Sequence, residues 1–243
     1  MEARVHLQPA YVLHRRPFQN TSLLLDFFCM DYGRVRGIAR GVRGQKSRSG
    51  SLLQLFHPLL VSFSGRGEVK TVGAIESGHG AITLQGQRLF SGLYVNELLT
   101  RMLMLHVEHK TLYMHYQDTL AALQGDADME LVLRRFELNL LADLGYAINL
   151  QEDCSTHLPI VGDAIYRFTP DIGFELSDEV MGGTDAGPNP RLFRGEHLIA
   201  LREFELGDRE RAQAAKRLLR LALNAHLGDR PLHSRSLFTA RPA

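Results

Sequence analysis

Five short apolar or alternating runs, each closed by turn chemistry, fill the first third of this 243-residue chain. They are residues 10–16 (AYVLHRR), 22–30 (SLLLDFFCM), 33–41 (GRVRGIARG), 52–64 (LLQLFHPLLVSFS) and 68–76 (EVKTVGAIE). Arg16-Pro17 with Asn20, Asp31-Tyr32-Gly33, the polar stretch 44–51 and Gly65-Arg66-Gly67 separate them. None has a helical period, and five such strands predict a small antiparallel barrel.

By strand count and length the best match is the five-stranded OB-fold. From about Gly86 the period changes. Residues 88–106 are apolar nearly all round, which predicts a central, buried helix. Further helices are expected at 110–124, at about 128–144 with Asp126 or Asp128 as its cap and Gly145 as its stop, and from near Asp208 to Gly228. Residues 146–195 read as short strands and turns, with a loop at 182–190. The expected class is therefore α+β. An OB-fold barrel spans 1–80 and a mainly helical domain spans 81–243, including a small β/loop subdomain at 147–195.

Charge points to a polyanion. No acidic residue occurs between Asp31 and Glu68, yet the window carries Arg34, Arg36, Arg40, Arg43, Lys46, Arg48 and Arg66. The whole chain is at +1, so the rest of it stands at about −6 without those seven. Side chains alternate faces along a strand. Arg34, Arg36, Ile38 and Arg40 then share the outer side, while Val35, Gly37 and Ala39 face the barrel interior. Residues 34 to 40 span about 20 Å, a guanidinium stripe long enough to follow several phosphates. The expected phosphate-binding set is Arg34, Arg36, Arg40, Arg43, Lys46, Arg48, Arg66 and Lys70. With no tryptophan, stacking falls to Tyr, Phe or Arg. Tyr11, Phe18, Phe27 and Phe28 read mostly as core, leaving Tyr32 as the better exposed platform.

Other classes are excluded on the residues. Gly41 to Ser47 lacks the Gly-Lys-Ser/Thr ending of a phosphate-binding loop, because Gln45 precedes Lys46. His57, His79, His106, His109 and His157 fall into no catalytic spacing, so the chain is not expected to be an enzyme or to use a cofactor. Cys154 and His157 form half a zinc motif with no second pair. No stretch approaches the roughly 20 apolar residues needed to span a bilayer. The start, MEARVHLQPAYVLH, lacks the apolar stretch of a signal peptide. The expected location is cytoplasmic, in association with the nucleoid and not with a membrane.

The stretches GRVRGIARGVRG (33–44), GRGEVKT (65–71), LFSGLYVNELLTRML (89–103), LRRFELNLLADLGY (133–146) and AAKRLLRLALNAHLGDRPLHSRSLF (214–238) come in an order and spacing that resembles RecO, the bacterial recombination mediator family. The resemblance implies an N-terminal OB-fold, a helical domain, and binding of single- and double-stranded DNA with annealing of complementary strands. Implied partners are the acidic C-terminal tail of the single-stranded-DNA-binding protein, RecR and, indirectly, RecA. Many members carry a four-cysteine zinc site. This chain keeps only Cys154 near that place, which implies a degenerate zinc-ribbon-like insertion without metal. Ile160, Ile165, Tyr166, Phe168 and Phe174 are the packing expected to replace it.

A partner tail of acidic and aromatic residues needs an apolar pocket edged by cations. The resemblance favours Arg134. The residues add Arg135, Phe136 and Leu140 on the same helix, and Lys216, Arg217 and Arg220 on the last long one. The alternative for Arg134 is an intrahelical pair with Glu137. The alternative for the whole chain is a protein–protein adaptor whose basic barrel binds an acidic partner.

Overall fold

A computed structural model describes residues 4–44, 47–78, 80–179, 189–228 and 230–239. Lys46, His79 and most of the loop expected at 182–190 lie outside the described residues.

Strands β1 (Arg4–Phe18), β2 (Ser22–Cys29) and β3 (Gly33–Ala39) form an antiparallel meander. A single helical turn, α1 (Arg48–Leu52), leads to β4 (Leu59–Ser64) and β5 (Val69–Ser77). The sheet closes in the order β1-β2-β3-β5-β4, with β3 and β5 parallel and β4 returning to β1, as in an OB-fold. Its interior is filled by alternate residues of each strand, among them Val12, Leu25, Phe27, Val35, Val61 and Phe63.

The strand expected at 52–64 begins only at Leu59. Pro58 has no N–H for a ladder, so pairing starts after it. Upstream, Ser47 caps α1 by accepting a hydrogen bond from Gly50 N at 3.1 Å. The apolar residues between helix and strand turn inward instead: Leu53 is fully buried and joins the barrel core, and Phe56 is buried at φ +67°.

Two helices pack on the barrel exterior. α2 (Gly86–Met102) ends earlier than the expected 106, and α3 (Lys110–Gln124) has the expected bounds. The reason for the early stop lies in β3. β5 begins opposite Arg36, so the first residues of β3 have no partner there. The α2–α3 connection fills that gap: Leu105 bridges Arg34, and His106 N donates to Arg34 O at 2.9 Å. Gly33 permits the approach. A Cβ there would lie 1.6 Å from Val107 O, and φ is +57°.

The helices are seated by Tyr11 and Phe28 of the barrel, whose rings meet Tyr113 and Tyr116 at 5.1–5.9 Å between centroids. Burial pushes all three phenols above their ordinary range, so they stay neutral. Asn96 satisfies the buried polar atoms here: its Nδ2 donates to Leu13 O at 3.1 Å, and its Oδ1 accepts from Tyr116 Oη at 2.7 Å.

The remaining elements are α4 (Met129–Asp143), β6 (Ile165–Thr169), β7 (Gly173–Leu176), β8 (Leu192–Arg194), α5 (Gly195–Glu203), α6 (Arg209–Leu227) and α7 (His233–Thr239). α6 starts as expected, with Asp208 Oδ1 accepting from Arg211 N at 2.9 Å, and stops at Gly228. The short helices α5 and α7 were not expected. α7 is capped from α2, where Glu97 accepts from His233 N, Ser234 N and Ser234 Oγ at 2.6–2.9 Å.

The change from strand to helix near residue 80 is not where compactness divides. One compact unit is Met1–Met129 with Pro231–Ala243, and the other is Glu130–Arg230. The second unit contains the sheet β7-β6-β8. Ile160, Tyr166, Phe168 and Phe174 are buried there, Ile165 is half-buried, and Phe193, not singled out in the sequence, joins them.

Candidate nucleic-acid interface

Register defines the outer face of β1–β3 as three cross-strand rows. They are Tyr11–Phe28–Arg34, His14–Asp26–Arg36 and Arg16–Leu24–Ile38. Arg40 follows Ala39 at the end of β3. Helices α2 and α3 cover the first row, so exposure rises along the strand. The Arg34 side chain is 12% exposed, that of Arg36 32%, and Arg40 is open to solvent.

The expected row of equivalent guanidinium groups is therefore graded, and two of its members share a carboxylate. Asp26 Oδ1 accepts from Arg34 Nε and Nη2 at 3.1 and 3.0 Å, and from Arg36 Nε at 3.1 Å. Arg34 Nη1 also donates to Leu103 O at 3.2 Å. Asp26 lies on β2, before the acid-free window, and only strand pairing brings it opposite Arg36.

Arg40 and Arg43 follow β3, and Arg48 opens α1. Arg43 Nη1 donates to Gln19 O and Asn20 O at 3.0 and 3.3 Å, and its N–H to Thr21 O at 3.0 Å. These bonds tie the basic loop to the β1–β2 turn. The same turn follows Arg15 and Arg16, which sequence reasoning missed. Arg15 Nη1 donates to Leu53 O at 2.9 Å, whereas Arg16, Arg40 and Arg48 are exposed and have no carboxylate within ion-pair distance among the described residues. Alternation along AYVLHRR could not have found Arg16, which has the parity of interior Val12; a β-bulge between Val12 and His14 turns it to the outer face. Arg66 and Lys70 sit at the other end, in and after the turn entering β5 beside Arg36. Arg66 is exposed and Lys70 Nζ donates to Gly65 O at 3.1 Å. Tyr32, at the β2–β3 turn, is also at that end. It is partly exposed, with its ring edge-on to Phe63.

The seven residues expected to receive a partner tail do not form one pocket. Phe136 and Leu140 are fully buried and offer no surface. Arg134 is buried and forms the intrahelical pair, its Nη2 2.7 Å from Glu137 Oε1. Arg217 is half-buried: Nη2 donates to Leu192 O at 2.6 Å, the guanidinium lies 4.4 Å from the Phe193 ring centre, and burial lowers its pKa. Three cations reach solvent. Arg135 lies 3.5 Å over the Phe204 ring, Lys216 pairs with Glu130 at 2.9 Å, and Arg220 is exposed. A hollow of about 360 Å³ in the same unit is lined by Tyr146, Phe168, Asp171, Ile172 and His226 among others, and by none of the seven.

Among the described residues no three His, Cys, Asp or Glu groups come together to hold a metal ion. Cys154 N donates to Phe174 O, and His157 is exposed beside Glu152. The segment is instead organised by buried Asp153. Its Oδ1 accepts from Ser155 N, Ser155 Oγ and Thr156 N at 2.7–2.8 Å, and its Oδ2 from Leu176 N at 2.6 Å. Burial opposes the charge, but these hydrogen bonds outweigh it and hold the carboxyl well below the usual carboxylate range. A carboxylate whose pKa is depressed by folding stabilises above its unfolded value of about 4 and loses that contribution as pH falls through the folded value. Asp153→Asn should therefore lower the melting temperature at pH 7, at a cost of about 1–3 kcal/mol. The gap from the native protein should narrow as melts are taken below pH ~4. A gap that stays constant with pH would show that the charge plays no part.

No helix among the described residues is long and apolar enough to cross a membrane. The family model for the Recombination protein O N terminal matches residues 1–79, and that for the Recombination protein O C terminal matches residues 84–236. The chain is 46% identical over 234 residues to the DNA repair protein RecO of Pseudomonas putida (strain GB-1), covering 96% of this chain and 97% of that one. It is 41% identical over 237 residues to the DNA repair protein RecO of Coxiella burnetii (strain RSA 331 / Henzerling II), covering 98% and 99%. It is 43% identical over 232 residues to that of Yersinia pestis (strain Pestoides F), covering 95% and 93%.

Proposed function

The chain belongs to the RecO family of DNA repair proteins, and from that membership we propose that it binds single- and double-stranded DNA along the outer face and basic end of its barrel and anneals complementary strands. The observation that carries this reading is the set of exposed guanidinium groups at Arg16, Arg40 and Arg48 with no carboxylate beside them among the described residues. Two strands brought together for annealing repel each other, and guanidinium groups screen that repulsion by displacing condensed counterions. Arginine grips phosphate oxygens with a planar fork. Contacts to the backbone leave base edges free to pair, so sequence preference is weak.

Arg43 belongs to the same site as its tie to the β1–β2 turn, Arg36 as its half-exposed member and Arg66 as its far end. Arg135, Lys216 and Arg220 are the cations that would meet the acidic tail of the single-stranded-DNA-binding protein. RecR and, through it, RecA complete the proposed partners, and the protein acts by binding and not by turnover.

Fluorescence anisotropy with labelled single strands and duplex, titrated with salt, tests the reading. Affinity should fall log-linearly with salt, with a slope near −0.7 per phosphate contact for single strands and near −0.9 for duplex. Weak binding with a flat slope would overturn it and leave the adaptor reading, in which the barrel's partner is an acidic protein.

A further inference from the structure

Asp26 is the one carboxylate borne by β1, β2 and β3. Its position runs against simple electrostatics, since an anion on a phosphate-binding face should repel its ligand. It is nonetheless buried, at 6% exposure, in the middle row of that face.

The two arginines that share it are not equivalent. Arg34 is consumed: Nε and Nη2 go to Asp26 Oδ1 and Nη1 to Leu103 O. Arg36 turns its Nε and Nη2 edge to the same oxygen, at 3.1 Å each, and has no further hydrogen bond among the described residues. A guanidinium has five N–H donors in a rigid plane. When the Nε edge is fixed, the opposite edge has a fixed direction, and the half-exposed Arg36 presents it to solvent. Arg34 balances the Asp26 charge, so the cluster keeps a net +1 that resides at Arg36.

We infer that Asp26 is a positioning residue for DNA binding, holding Arg36 in one orientation for a phosphate while Arg34 neutralises it. This rests on the proposed DNA-binding reading of the barrel face. A freely rotating arginine must lose its rotamer freedom on binding, and one already held loses less. The carboxylate thus raises affinity through order even though it lowers it through charge, and the two effects have opposite signs when Asp26 is removed.

That difference in sign is the test. Asp26→Asn adds one positive charge to the face at nearly constant shape. Anisotropy with a labelled single strand should show binding several-fold weaker than native, with a salt slope shallower by about 0.7, one lost phosphate. Loss of stability does not change the slope of molecules that remain folded, and circular dichroism fixes a temperature at which they do. Two further variants separate charge from order, each read only at a temperature where circular dichroism shows it folded. Asp26→Asn with Arg34→Met restores the native net charge and should bind as weakly as the single variant. Arg36→Lys keeps charge at a half-exposed position but loses the planar fork, and it too should bind several-fold more weakly. Tighter or unchanged binding in Asp26→Asn, or native binding in either of the other two, overturns the inference. Arg16→Ala with Arg40→Ala, measured in parallel, separates the two levels. If that pair binds natively, the basic-face reading itself fails. If it is weakened while the Asp26 variants are not, only the positioning role is lost.

Discussion

Alanine at Arg16, Arg40 and Arg48 together should weaken single-strand binding about 50-fold at ~0.15 M salt and flatten the salt slope by about 2, the loss of three phosphate contacts. Duplex binding should fall further, because each contact there releases more counterion. The three side chains are exposed and bear on no packing, so the melting temperature should stay near native, within about 0.5 kcal/mol of stability. Anisotropy across salt and a thermal melt of the same sample check both halves. Native affinity in the triple variant would remove the barrel's basic end as the binding surface. Arg34 is the wrong residue for this purpose despite its place in the same stripe. Its truncation would leave buried Asp26 short of a guanidinium and Leu103 O short of a donor, so a lost affinity could be a lost fold.

The second large effect is on stability. Arg134→Met should cost about 3 kcal/mol or more, because removing one member of a buried ion pair takes the guanidinium away from a carboxylate held out of water. The Arg134 and Glu137 side chains are 8% and 2% exposed, far from the solvent screening that reduces surface pairs to a few tenths. For a protein of this size the melting temperature should drop by roughly 6–12 °C. A drop of a degree or two would mean that water reaches the pair. This also changes what a lost partner tail would mean. Weak tail binding by an Arg134 variant would follow from a loosened helix α4 as readily as from a lost contact. Arg135→Ala and Arg220→Ala are the cleaner probes, since both residues are exposed.

What could be read in advance was whatever depends on neighbours along the chain. The alternation of β3 did separate Val35, Gly37 and Ala39 from Arg34, Arg36 and Ile38, as the burial of that strand has it. Helix α3 began and ended where its period and breaker residues put it, and α6 used Asp208 and Gly228 as its ends. Errors arose where a local pattern met a distant partner. The apolar run 52–58 looks like strand, yet Pro58 delays pairing and Leu53 fills the barrel interior. Phe136 and Leu140 sit beside two arginines in the sequence, but helical spacing turns them to the core and Arg135 to solvent.

The five strands of the barrel, the long helices that follow them and the concentration of positive charge in one segment were determined by the amino acids alone, because turn chemistry, side-chain alternation and helical period all act over a few residues. Which arginine remains open to a phosphate was decided only in three dimensions. Asp26 meets Arg36 because β2 pairs with β3 in one register, and Arg34 is covered because Tyr113 and Tyr116 come to rest on Tyr11 and Phe28. Electrostatic and packing partners act through space, and distance along a chain does not report them.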